Sequence, residues 1–225
     1  MTTTLASYWR FLLAGLTKQA QTGAILPSQR ILVERMIAPL PPAYRGLVLE
    51  LGPGTGALTV RLARRCPAAR ILACEINPVL AQDLRRRLGA AGFAGQVEVI
   101  SGSAQRLLEK IAREHETRPG YVLSGIPLGN LDREQATTLI DRVAGALAKG
   151  GMYIQFQYSL LDRKKIQARF AQLRTVPVWL NFPPAVVYYA QHPVSLADPA
   201  RPRRLAPRRT AASVAYEAME LVEKS

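Results

Sequence analysis

Four residues at alternate positions, Glu50, Gly52, Gly54 and Gly56 in "LELGPGTGALT", carry the strongest chemical signal in this 225-residue chain. Glycines so spaced let the backbone turn sharply and admit a ligand close to the main chain, facing the N-terminus of the following helix. A second acid, Glu75, ends an apolar run about 20 residues on, where a carboxylate can take both hydroxyls of a ribose. Together they describe a site for a nucleoside-bearing cofactor. Dinucleotide sites use a similar device, but with G-x-G-x-x-G spacing; here it is G-x-G-x-G with Pro53 in the turn.

A second group of residues lies where two further strands are expected to end. "LSGIPLGN" (123–130) carries Gly125-Ile126-Pro127-Leu128, and "QFQYS" (155–159) carries Tyr158. Strand ends beside a cofactor crevice are where open α/β sheets meet their substrates. His115 and His192 fall outside every motif, and Cys66 and Cys74 have no metal-type spacing, so no metal site is expected. The cysteines read as reduced packing residues of a cytosolic chain.

The elements that must position these residues form a regular ladder. Buried strands are predicted at 46–52, 70–76, 96–102, 121–128 and 151–159, with helices at 56–65, 78–91, 103–116 and 132–149 between them. A further helix at 162–171 precedes two strand-like runs split by Pro183-Pro184, a closing antiparallel pair. Seven strands result, mostly parallel. A helix from Pro27-Ser28 to about Ala38 precedes the ladder and is stopped by "PLPP". Tyr188 and Tyr189 alternate on a strand and read as structural.

At the N-terminus Leu5, Tyr8, Trp9, Leu12, Leu13 and Leu16 fall on one helical face, with Arg10 and Lys18 beside it. This is the composition of an interfacial helix, and also of an ordinary helix packed on a sheet. No apolar run reaches the roughly 18 to 20 residues needed to span a bilayer, and the N-terminus lacks the features of a cleaved leader. The net charge of +14 calls for an anionic partner, nucleic acid or membrane, although arginine-rich and alanine-rich composition also follows from GC-rich coding. The segment "ADPARPRRLAPRRT" (197–210) has little to bury and reads as a basic tail, with a short helix after it. The expected organisation is a helix at 1–20, one α/β domain at 21–192 and the tail at 193–225.

The glycine spacing, Pro53 and the closing hairpin together resemble the class I methyltransferases, which use S-adenosylmethionine (SAM), over residues 20–192. The resemblance implies a Rossmann-like sheet flanked by helices, SAM as cofactor with S-adenosylhomocysteine as product, and no metal. It implies that Gly52, Gly54 and Gly56, with Thr55, line the methionine part, that Glu50 lies near its amino group and Glu75 on the ribose, and that Ile76 flanks the adenine. Ser103 and Ala104 would supply the adenine edge, where many relatives have an aspartate, and Ser124 and Ile25 would complete the cofactor contacts, Ile25 with Gly23 and Ala24 in a closing loop.

"QTGAILPSQRILVERM", "VLELGPGTGALT", "SGIPLGN" and "YIQFQYS" are similar to the bacterial phospholipid N-methyltransferases of the PmtA type, which are themselves similar to the ribosomal RNA adenine dimethyltransferases. Adenine enzymes end the fourth strand in Asn-(Leu/Ile)-Pro-(Tyr/Phe), with an amide for the amine and a ring for the base. Gly125 and Leu128 replace both, which implies an amine lipid as acceptor, phosphatidylethanolamine on the way to phosphatidylcholine. Tyr158, Ile126 and Pro127 would position that acceptor, and Tyr8, Trp9, Arg10 and Lys18 would meet the lipid surface. The expected enzyme is a monomer, peripheral on the inner face of the cell membrane, without nucleic acid as partner. An rRNA adenine N6-methyltransferase, an ornithine-lipid N-methyltransferase and a non-catalytic SAM-binding module stay open as alternatives.

Overall fold

Leu47–Leu51 (β1) is buried at every position, and Arg70–Glu75 (β2) at all but its first, as befits strands covered on both faces. The computed structural model describes residues 27–114, 117–181 and 183–194. The expected N-terminal helix with Tyr8, Trp9, Arg10 and Lys18, the loop with Ile25, His115 and the tail from 195 on lie outside the described residues.

Val97–Ser101 (β3), Tyr121–Ser124 (β4) and Met152–Gln157 (β5) extend the sheet, and Phe170–Val178 (β6) and Ala185–Pro193 (β7) close it. The order is β3-β2-β1-β4-β5-β7-β6; the first five strands run parallel, β7 lies antiparallel to β5, and β6 antiparallel to β7. This is the expected seven-stranded, mostly parallel sheet. Helices Pro27–Ile37 (α1), Ala57–Arg65 (α2), Pro78–Ala90 (α3), Ala104–Glu114 (α4), Arg133–Ala146 (α5) and Arg163–Gln167 (α6) flank it. One apolar core holds Met36, Leu62 and Leu84 from the first three helices, and the other holds Leu108, Ile140 and Ile166 from the last three.

Local chemistry sets the helix starts. The Asn77 side chain accepts from the Val79 and Leu80 N–H groups at 2.9 and 3.4 Å with Pro78 at the first helical position, and Asp132 and Gln135 form a reciprocal capping box. Several boundaries differ from expectation. The fourth strand stops at Ser124 because Pro127 has no N–H for a ladder, and a 3-10 turn, Leu128–Asn130, follows. The helix expected at 162–171 is only Arg163–Gln167, since Phe170 already pairs with Pro193 and its ring stacks on Tyr153 at 5.9 Å. Pro193, counted with the tail in the sequence, ends β7, and the Val194 N–H after it donates to the Arg169 carbonyl at 3.0 Å.

Candidate cofactor and acceptor site

A cavity of about 540 Å³ opens at the carboxyl ends of the five parallel strands. Its floor is the loop between β1 and α2. Gly52, Gly54 and Gly56 there have φ of 70, 54 and 79°, a region that other residues rarely enter. The loop is held from β2: Glu75, buried, accepts from the Gly54 N–H at 3.0 Å through Oε2 and from the Asn77 N–H at 2.9 Å through Oε1. Its carboxylate is thus fixed at the cavity wall.

Glu50 is the strained partner. It is 1% exposed, and neither carboxyl oxygen has a hydrogen-bond partner among the described residues. Burial pushes its pKa up to about 8; the Thr59 hydroxyl offsets this in part, without completing a hydrogen bond, and the charge of Glu75 adds to the rise. An orphaned buried carboxyl on a cavity wall is costly unless a cation arrives to meet it. That fits the α-ammonium of SAM. Ile76, 76% exposed, and Ser103 and Ala104 line the same cavity, where the resemblance would put the adenine.

Two of the expected contacts are not at the wall. Ser124 is fully buried, and its Oγ accepts from the Ile126 N–H at 3.2 Å, so it shapes the turn after β4 instead of facing the cavity. Gly56 serves the turn and the packing: it caps α2, and a Cβ there would meet Leu84 Cδ1 at 2.3 Å. Thr55, with Gly52 and Gly54, does line the cavity.

The other half of the cavity, where the resemblance puts the acceptor, is walled by Ile126, Pro127, Leu131, Phe156 and Tyr158 and by α1. The structure corrects the reading of Leu128. Its side chain is fully buried in the core of α5 and β4, not presented to the cavity, because the 3-10 turn rotates it inward. Gly125 is more telling: a Cβ there would stand 2.8 Å from the Gly52 carbonyl oxygen, so the turn after β4 packs directly on the glycine loop and leaves no room for any side chain. The Ile126 carbonyl accepts from Gln155 Nε2 at 3.0 Å and Gln157 Nε2 at 3.4 Å, and Gln155 is in turn held by the Tyr153 hydroxyl. That carbonyl is turned into the sheet, so Ile126 and Pro127 offer the cavity apolar surface.

Tyr158 does reach the cavity, its ring edge-on to Phe156 at 5.7 Å. Tyr188 and Tyr189 do not: their hydroxyls donate to the Ser159 and Arg35 carbonyls at 3.2 and 2.6 Å, structural roles as expected. The sequence reading missed Phe156 and the inward face of α1, Gln29, Leu32, Val33 and Met36, whose i, i+3, i+4, i+7 spacing was the available signal. Glu34 and Arg61 tie α1 to α2 at 2.6 Å. Cys74 also lines the cavity, but burial, with the charge of Glu75, pushes its thiol up to about 11, and it donates to the Gly102 carbonyl at 3.4 Å, which leaves it inert. Among the described residues no group of His, Cys, Asp and Glu could hold a metal ion.

A family profile described as a methyltransferase domain matches residues 48–151, the stretch from β1 to the start of β5. This is a SAM-dependent methyltransferase. The methyltransferase is 27% identical to an ornithine lipid N-methyltransferase of Singulisphaera acidiphila over 75% of its own length and 87% of that protein's. It is 40% identical to a probable dimethyladenosine transferase of Dictyostelium discoideum, but over only 24% of its length and 17% of that protein's. Among solved structures it is similar to the N-methyltransferase NodS of Bradyrhizobium japonicum in complex with S-adenosylhomocysteine, with a TM-score of 0.57 at 16% identity over 75% of this chain and 89% of that one. An O-methyltransferase of Bacillus cereus, also in complex with that product, gives 0.59 at 14% identity over 79% and 90%. At such identities these two speak for the class I methyltransferase fold.

Proposed function

We propose that this methyltransferase acts on the amino head group of a membrane lipid, with phosphatidylethanolamine and ornithine lipid as the two acceptors to compare. The observation that carries the reading is the contact of Gly125 with the Gly52 carbonyl, which bars a side-chain amide from the place where an adenine site needs one. What remains is an apolar wall with two aromatic rings and no lysine, arginine or histidine among its described residues.

SAM supplies an electrophilic methyl group on a sulfonium, so the protein's work is alignment more than acid-base chemistry. Glu75 would hold the ribose, Glu50 the α-ammonium, and Ile76 would flank the adenine. On the acceptor side Phe156 and Tyr158 would present ring faces and edges to an amine that becomes more cationic with each methyl. Ile126 and Pro127, held from behind by Gln155 and Gln157, would keep water from its flank. The match along most of the ornithine lipid enzyme supports the same class of acceptor.

The test is transfer of labelled methyl from SAM to detergent-dispersed phosphatidylethanolamine, to ornithine lipid and to unmodified ribosomal RNA. Label in lipid is expected; label in RNA alone would overturn the reading.

A further inference from the structure

The large apolar side chains that stand exposed among the described residues are Ile76 (76%), Val79 (69%), Leu161 (76%), Trp179 (43%) and Leu180 (75%). Their places in the chain are scattered, yet the topology gathers them at one edge of the sheet. Ile76 and Val79 follow the carboxyl end of β2, and Leu161 follows that of β5. Trp179 and Leu180 lie in the turn from β6 to β7; since β7 pairs antiparallel with β5 and β6 with β7, this turn too stands at the carboxyl end of β5. It is the rim on which the cavity opens. Ile76 itself lines the cavity, and Tyr158 stands three residues before Leu161.

Ile76 belongs to the cavity wall already described, and Val79 stands near it in the chain, but Leu161, Trp179 and Leu180 do not line the cavity. Their neighbours complete the pattern. Arg163, Lys164 and Lys165 follow Leu161, and the one acid among them, Asp162, is 1% exposed and taken by Lys165 Nζ at 2.7 Å. Lys164 is exposed beside Leu161, and the turn after β6 carries no charged residue between Trp179 and Pro184. Toward the opposite edge Arg70 and Glu98 pair on the surface at 3.1 Å. Apolar side chains with a tryptophan and an exposed lysine make a surface that suits lipid: rings and aliphatic groups at the head-group level, positive charge toward anionic heads.

We propose that the rim formed by Leu161, Trp179 and Leu180, with Lys164 beside it, seats on an anionic lipid bilayer and so holds the mouth of the cavity against the head groups. The proposal rests on the lipid reading of the acceptor and deepens it: a lipid amine would enter from the membrane plane, without the lipid leaving the bilayer. It is separate from any contact made by the N-terminal helix.

The chain has two tryptophans, Trp9 and Trp179, so Trp9→Phe in the full chain leaves Trp179 as sole reporter. The protein is mixed with vesicles of phosphatidylethanolamine and phosphatidylglycerol, with plain or brominated acyl chains, and followed by emission and flotation. Trp179 emission is expected to shift to shorter wavelength and to be quenched by the brominated lipid, and Leu161→Ser/Leu180→Ser to weaken vesicle partition about tenfold with SAM uptake unchanged. Unmoved Trp179 emission, whether the protein floats with the vesicles or not, would overturn the proposal. So would an emission shift that follows protein concentration without vesicles, since a second copy of the chain would then cover the rim. Methyl transfer to lipid in uncharged detergent micelles separates the two claims: lipid methylated in micelles with Trp179 silent on vesicles sinks the rim alone, and Trp179 inserted with no lipid methylated in either form sinks the acceptor reading alone.

Discussion

The Gly54 N–H donates to the Glu75 carboxylate at 3.0 Å, so the acid that ends β2 braces the loop that ends β1. One side chain thereby does two things: Oε1 and Oε2 are anchored by backbone N–H groups, and the carboxylate is left facing the cavity in a fixed orientation. Glu75→Ala removes the brace and, on the proposed reading, the ribose partner. SAM binding, followed by calorimetry, is expected to weaken about 10- to 100-fold, the loss typical of charged hydrogen bonds. Unchanged affinity would place the ribose elsewhere.

Glu50 makes a prediction about pH. Its carboxyl, raised to about 8, keeps its proton in the folded protein where the unfolded chain has lost it. The stability of the SAM-free protein therefore falls as pH rises from about 4.5 towards 8 and levels off beyond, because the native state binds the extra proton over that window. A cation seated against Glu50 favours the carboxylate, so SAM binding between about pH 5.5 and 7.5 should release close to one proton and strengthen with pH. Calorimetry in buffers of unlike ionisation heat measures this release. It should vanish in Glu50→Gln; equal heats in the unaltered protein would remove Glu50 from the ammonium site.

At Gly125 the contact is steric. Gly125→Asn, which restores the amide of adenine sites, must push β4's turn away from the Gly52 carbonyl. A cost of about 1 to 3 kcal/mol in stability and a loss of SAM affinity are expected, with no gain of RNA methylation. Thermal unfolding and SAM titration check the first two. A stable variant with full SAM affinity would mean that the turn yields freely, and that the glycine is no argument about the acceptor.

Tyr158→Ala should lower the rate of methyl transfer while SAM affinity holds, since the ring lies with Phe156 on the side of the cavity proposed for the acceptor. A fall in kcat/KM for the lipid of about 5- to 30-fold corresponds to the loss of a cation–π contact of about 1 to 2 kcal/mol. Steady-state kinetics with micellar lipid measures it. A variant as fast as the parent would show the tyrosine to be packing.

Much of this was legible in the amino-acid sequence because it is local. The glycine loop and Glu75 are read from turn chemistry and from an acid at a strand's end, and the β-α ladder from short apolar runs closed by glycine, proline and asparagine. Those signals span a few residues each, and neighbouring parts of the chain suffice to read them. The acceptor wall is not local. Whether Leu128 faces a ligand or the core depends on the turn that follows Pro127, and the sequence reading, which took the strand on to Leu128, had the side chain on the wrong side. Gly125 acquires its meaning only from the carbonyl of Gly52, Ile126 from the amides of Gln155 and Gln157, and the stripe on α1 from the cavity it closes. The same holds for the rim, where Leu161, Trp179 and Leu180 meet at one edge because β7 reverses direction beside β5. Periodicity and turn chemistry decide what each segment becomes; which side chains then share a cavity or an edge is decided by strand order and close backbone approach, which exist only once the sheet has formed.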